Sequence, residues 1–344
     1  MVTISLCMIV KNEEKILRRC LDSLKGLYDE AIIVDTGSTD YTKSIAKEYT
    51  DKVYDFEWTN DFAAARNFAI SKASCDYFYM ADADEVLDEA NHEKFRLLKE
   101  ILLPEIEIVQ MRYVNQFAYG TVYNYNEEYR PKLYKRVRTY SYIDPIHEIV
   151  RTDPVVYDSE IDIIHMPESV HTNRDFACFE QAIQRDGDLS KRLVTMYAKE
   201  LLISGTMEDL QGAKPYFEKL LLREDLSEDD MRVVFIVLAK AAISEGDEPG
   251  MFKYALKEVA GTGSSEICSI LGAYFEDKKD YLEAAIWYYN ARYETSPLLW
   301  LKSGNIVPLK GLIRVYTALG MPEEAESYEK ELKETEKEFL PIRQ

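Results

Sequence analysis

With 344 residues, the chain is long enough for two domains that each bury a core. Its 42 basic and 62 acidic side chains leave a net charge of −20, which repels polyanions and makes nucleic acid and anionic membrane surfaces poor partners. The five cysteines, Cys7, Cys20, Cys75, Cys178 and Cys268, are odd in number, far apart and form no CxxC pair, which argues against a disulfide framework or thiolate zinc site and for reduced thiols in the cytoplasm.

The N-terminal stretch VTISLCMIVKNEEK is apolar over too few residues to span a bilayer, and Thr3 and Ser5 interrupt it. It reads as a buried first strand, not a signal peptide. No other uncharged run is long enough to cross a membrane, so any membrane contact is expected to be peripheral, on the inner face. ISLCMIV, EAIIVD, KVYDF and DYFYMA are predicted strands, separated by KILRRCLDSLKG, DYTKSIAKEY and FAAARNFAISKA at helical spacing. Ser38 and Thr39 are capping candidates for the second helix. This alternation predicts an α/β domain with a parallel sheet over residues 1 to about 115.

IVKNEE and IIVDTGSTD each end a strand in a polar cluster, and Gly37 permits a tight turn where a backbone can approach a ligand. YFYMADADEVL then sets Asp82 and Asp84 one residue apart after an apolar run. In an open parallel sheet ligands sit beyond the carboxyl ends of the strands, so the pair lies where a site belongs. Two carboxylates with the oxygens of a diphosphate complete the shell that Mg²⁺ or Mn²⁺ prefers. The other reading is a cap for the helix expected near Asn91, which uses only one of the two. A calcium loop starting at Asp82 fails, with Val86 at its fifth position and Leu87 where glycine is required. No GxGxxG, GxxxxGK[ST] or HExxH is present, which removes dinucleotide, P-loop and zincin readings.

The dense tyrosines and asparagines of residues 114–134 suit sugar stacking as an acceptor wall, or equally a β-hairpin surface. Beyond about residue 175 strand signals vanish and amphipathic helices follow, in about four pairs. Leu271, Gly272, Phe275, Ala284, Tyr288 and Ala291 recur at tetratricopeptide spacing. Ala213, Phe217 and Leu220 repeat the second-helix part, and Tyr316 and Ala325 keep register near the end. A plain helical bundle is the alternative. The expected division is residues 1–175 and 176–344.

The segments SLCMIVKNEE, IIVDTGSTDYT, WTNDFAAARNFAI, YMADADE, RPKLYKR and IHE together resemble the family 2 glycosyltransferases of GT-A fold, over most of residues 3–150. More narrowly, the chain is similar to the bacterial subset that continues into tetratricopeptide-like helices, a group with envelope-glycan and peptide or protein glycosyltransferases. The resemblance implies a GT-A nucleotide-sugar-binding (Rossmann-like) domain followed by an all-α repeat domain. It places uridine on Val10, Asn12, Glu14 and Asp35, with Asp35 accepting from the uracil N–H. Arg66 would lie near the nucleotide, Asp82 on the ribose or a metal-bound water, and Asp84 on the metal that bridges the diphosphate. Glu148, or Asp144, would be the general base. His165 matches an HxGY element that contacts metal or diphosphate, but Met-Pro-Glu follows it here, so a structural histidine remains open; His147 has similar status.

The implied activity is inverting, Mn²⁺- or Mg²⁺-dependent transfer of a hexose, glucose or N-acetylglucosamine foremost, from a UDP-sugar to a peptide, protein or envelope-glycan acceptor. A homodimer through the helices is a further expectation. The competing reading is a nucleotide-fold protein that acts mainly as a tetratricopeptide binding module. A nucleotidyltransferase would need a glycine-rich phosphate loop, which IVKNEE is not.

Overall fold

The computed structural model describes residues 1–114, 128–137, 142–143, 149–150, 153–166 and 172–338. They fall into two compact units, one reaching Met166 and the other starting at Thr172.

The first unit runs β1 (Ile4–Val10), α1 (Leu17–Ser23), β2 (Glu30–Asp35), α2 (Thr42–Ala46), β3 (Val53–Asp55), α3 (Phe62–Ser71) and β4 (Tyr77–Ala81). It continues through β5 (Glu85–Val86), α4 (Glu89–Ile101), β6 (Ile108–Val114), β7 (Glu128–Lys135), the paired strands β8 (Tyr142–Ile143) and β9 (Ile149–Val150), and β10 (Val156–His165). One eight-stranded sheet has the order β3-β2-β1-β4-β7-β6-β10-β5. β1 is buried along nearly its whole length because helices cover both faces, which is why it reads as an apolar run broken only by Ser5. α1 and α4 supply Leu17, Leu21, Phe95 and Leu98 to the core on one face, and Ala69 of α3 packs with Cys7, Ile32 and Val34 on the other.

The four predicted strands pair in parallel, as β3-β2-β1-β4. Beyond the stretch read as parallel, β7 is antiparallel to both β4 and β6, so the whole sheet is mixed. β7 hid from the sequence reading because Pro131 and four basic residues lie within EYRPKLYK and its flank.

Ser38 and Thr39 do not cap α2, whose preceding residue is Tyr41 with no side-chain cap. Both instead bond to the loop after β1. The helix expected near Asn91 starts at Glu89 and is capped by Asp88, which accepts from the Asn91 N–H. Neither Asp82 nor Asp84 is used as that cap.

The second unit is all helical: α5 (Thr172–Asp186), α6 (Lys191–Ser204), α7 (Met207–Leu220), α8 (Glu228–Glu245), α9 (Glu248–Val259), α10 (Ser265–Asp277) and α11 (Tyr281–Tyr289). A π-helical turn, Asn290–Glu294, extends α11, and α12 (Leu301–Gly304), α13 (Ile306–Ala318) and α14 (Pro322–Glu338) follow. Among the described residues α8 packs with α9, α10 with α11, and α13 with α14, while α6 and α7 both rest on α8. The repeat positions have a steric reason. The buried Tyr288 ring lies against Gly272 and Gly311, where an added Cβ would stand 2.8 and 2.5 Å from ring atoms.

Candidate active site

Val10 and Asp35 end adjacent parallel strands in register, so the loops that follow leave the sheet side by side. Those loops are cross-bonded. Asn12, at φ +56°, accepts from the Thr39 N–H at 2.8 Å, and its own N–H donates to Ser38 Oγ at 3.0 Å. Glu14 Oε2 accepts from the Tyr41 N–H, the Glu14 N–H donates to Asp40, and the Glu13 N–H donates to Thr42 Oγ1. Val10 is buried, and its carbonyl accepts from Thr36 N–H and Oγ1. Asp35, only 3% exposed, accepts through Oδ1 from the Gly37 and Ser38 N–H groups, both at 2.9 Å. Gly37 at φ +99° turns the chain so that both donors face one oxygen. Asp35 Oδ2 is buried with no hydrogen-bond partner among the described residues.

At the end of β4, Asp82 Oδ1 accepts from Arg66 Nη2 at 2.7 Å. α3 delivers Arg66 because Asp61 caps its first turn, accepting from the Ala64 N–H. Lys132 Nζ lies 3.9 Å from Asp82 Oδ2 and donates to buried Glu85 at 2.6 Å. Glu85 Oε2 in turn accepts from the Asp82 N–H. Burial pushes the Asp82 carboxyl upward, but Lys132 and Arg66 outweigh it and hold the group below the ordinary carboxylate range. Burial raises Glu85, which Lys132 only partly offsets. Arg130, one residue from Pro131 on the same strand, stacks its guanidinium 4.0 Å from the Tyr113 ring centre.

Asp84 faces β10. The antiparallel pairing of β10 with β5 sets His165 opposite Glu85, and His165 Nε2 lies 3.0 Å from Asp84 Oδ2. The Asp84 carbonyl accepts from the Met166 N–H, and Arg19 holds the Met166 carbonyl at 2.9 Å. Asp84 Oδ1 is a second buried carboxylate oxygen with no hydrogen-bond partner among the described residues. Such an oxygen fits a hard divalent cation, which satisfies it without a proton. No group of three or more His, Cys, Asp and Glu side chains is arranged for a metal among the described residues. The rest of an oxygen shell would therefore come from a bound ligand and water.

The structure thus brings Asp82, Asp84, Arg66 and His165 together at one sheet end, and Val10, Asn12, Glu14 and Asp35 at the neighbouring strand ends. Glu148, Asp144 and His147 lie outside the described residues, as do residues 115–127 of the tyrosine-rich stretch. Glu85, Lys132, Arg130 and Tyr113 escaped the sequence reading. The alternation of basic residues in RPKLYKR, seen only as a loose motif, was the signal that marked two of them.

An open α/β sheet with polar loops and paired carboxylates at its strand ends, followed by stacked helices, is the layout of a GT-A (Rossmann-like) fold with tetratricopeptide-like helices after it. Residues 5–153 match the model of the family described as glycosyl transferase family 2. A TPR repeat-containing protein of Synechococcus elongatus is 49% identical over 87 residues, 25% of this chain and 22% of that protein. The SPbeta prophage-derived glycosyltransferase SunS of Bacillus subtilis is 34% identical over 125 residues, 36% of this chain and 29% of its own. The lipopolysaccharide core biosynthesis glycosyltransferase LpsC of Rhizobium meliloti is 33% identical over 154 residues, 42% and 56% respectively. The matches thus span between 22% and 56% of these relatives' lengths. No helix among the described residues is long and apolar enough to cross a membrane.

Proposed function

We propose that the chain transfers a hexose, glucose or N-acetylglucosamine, from a UDP-sugar to a peptide, protein or cell-envelope glycan, with inversion and with Mn²⁺ or Mg²⁺. The observation that carries this reading is the pair of unpartnered buried carboxylate oxygens, Asp35 Oδ2 and Asp84 Oδ1, at two strand ends of one sheet edge. An acceptor oxygen buried without a donor costs about 1–3 kcal/mol, so two of them favour a ligand that supplies a uracil N–H at one and a cation at the other.

In this reading Asp35 selects uracil, since cytosine offers no ring N–H at that edge. Asn12 and Glu14, whose side chains already hold the neighbouring loop, shape the uridine pocket. Asp84 is the metal ligand, oriented by His165 through the oxygen it shares. Asp82, held by Arg66, faces the ribose or a metal-bound water. A bound divalent cation neutralises charge that develops on the departing diphosphate. The acceptor hydroxyl attacks the anomeric carbon opposite the diphosphate; its proton passes to a carboxylate, Glu148 foremost and Asp144 next, while the C–O bond to the diphosphate breaks and its electron pair leaves on UDP. One relative named for lipopolysaccharide core biosynthesis supports a glycan acceptor, and stacked helix pairs, which commonly hold polypeptide, support a peptide or protein. Self-association through the helices belongs to the same proposal.

The test is a thermal-shift and UDP-release screen of nucleotide sugars, with and without Mn²⁺, on the full chain and on Asp84→Ala. One UDP-sugar should stabilise the native chain only with metal, by mass action, and Asp84→Ala should lower turnover at least ~100-fold. Stabilisation that persists in Asp84→Ala, or a donor that is not a UDP-sugar, removes the reading.

A further inference from the structure

α11 is apolar on two faces, and the unit's own packing covers only one of them. Ala284, Tyr288 and Ala291 are buried, as core positions of stacked helices should be. On the other face Leu282 (68% exposed), Ile286 (54%), Tyr289 (45%) and Tyr293 (42%) follow at steps of four, three and four residues. The π-helical turn keeps the stripe continuous, since the Tyr289 and Tyr293 rings lie 4.6 Å apart. With Tyr316 of α13 and Leu319 just beyond its end as the far wall, Leu282, Ile286 and Tyr289 line a groove of about 470 Å³. Scattered exposed apolar residues are ordinary, but three in helical register along one groove, with Tyr293 continuing the line beyond it, are an interaction surface.

The rim says what kind of partner fits. α14 supplies Tyr328, stacked on the groove's Tyr316 at 5.5 Å, and carries eight glutamates against three lysines. Glu331 of that helix accepts from Tyr293 Oη at 2.6 Å and from Arg292 at 2.9 Å, so the acidic excess of the rim lies with the other glutamates of α14. A second copy laid on this groove would set acidic rims against each other in a chain of net charge −20. We infer that the groove docks an amphipathic helix of another polypeptide, with leucine-like or aromatic anchors at i, i+4 and i+7 and lysine or arginine along their flank. Docking requires neither donor nor metal, so this inference stands or falls apart from the proposed transferase reading.

The probe is a fluorescein-labelled synthetic peptide of ~18 residues, leucine and lysine at helical spacing, titrated with the full chain at ~0.15 M salt and read by anisotropy. Its leucine/glutamate counterpart is the control. Saturable binding of the lysine peptide alone is expected, weakened about tenfold or more by Ile286→Glu. That substitution separates the two forces: it deletes an anchor yet adds negative charge, so attraction by charge alone would hold or tighten the complex. Leu282→Ser, which leaves charge unchanged and lies at an exposed site, should also weaken it if Ile286→Glu disturbs the fold. Equal or tighter binding by Ile286→Glu, equal binding of the glutamate peptide, or a wild-type dimer that Ile286→Glu dissociates in sedimentation would each overturn the inference.

Discussion

Asp84 has one oxygen occupied by His165 and the other unpartnered, an arrangement that fixes the carboxylate while leaving a lone pair to give. His165 sits 6% exposed at the end of β10, its ring 5.0 Å from that of Tyr113, so it cannot easily swing away. Partners that orient a metal-binding carboxylate are worth ~10- to 100-fold in metal affinity. His165→Leu is therefore expected to weaken Mn²⁺ binding by about that factor while the chain stays folded, read by Mn²⁺ titration in the presence of UDP. Unchanged Mn²⁺ affinity would reduce His165 to a structural residue. The sequence marked His165 but left its role open because its partner, 81 residues away, becomes visible only when β10 pairs with β5.

At the scale of elements, the loops after β1 and β2 act as one unit. Asn12 links them in a left-handed conformation that asparagine tolerates better than most residues. Asn12→Ala removes the acceptor for the Thr39 N–H and strains the turn, so donor KM should rise ~10-fold with kcat nearly unchanged. Asn12→Asp, which keeps an acceptor there, should restore most of it; a kcat defect without a KM change would contradict the loop-locking role. The start of β2 has a separate control. Burial pushes Glu30 upward, but hydrogen bonds from Lys52, Ser5 and Ser74 overcome this and carry it from 4.5 down to about 2. A folded-state value below the unfolded one stabilises above pH 4.5 and is lost as pH falls toward 2. Acid unfolding should steepen across that window, and Glu30→Gln should flatten the slope there; an unaltered slope would place the acid sensitivity elsewhere. Strands β1 to β4 and the helices between them were legible in sequence because apolar runs and helical spacing are local. The antiparallel half of the sheet was not, since β7 carries Pro131 and the lysine and arginine residues that the site draws inward. The cross-loop bonds of Asn12 and Glu14 escaped for the same reason: what these side chains touch lies 26 to 27 residues away.

At the scale of the whole molecule, each unit has its own main apolar core, one around β1 with a smaller cluster on the sheet's other face, the other around α8 with a smaller cluster around Tyr288. Two cores predict two unfolding transitions with different sensitivities, a departure from all-or-none melting. UDP with Mn²⁺ should raise only the transition of the sheet unit, by mass action on the folded state. Gly311→Ala should lower only the other. Replacing a helical glycine by alanine ordinarily gains about 0.5–1 kcal/mol. Here the new Cβ would lie 2.5 Å from Tyr288 Cζ, and the buried ring also abuts Gly272, so it cannot retreat without disturbing the facing helix. Overpacking of this kind costs about 1–3 kcal/mol or more, which exceeds the gain in backbone entropy. The expected result is a fall of ~5 °C in one calorimetric transition and none in the other. If both transitions moved together, the two cores would unfold as one cooperative body, and the helices would have to be counted as part of the fold that holds the site.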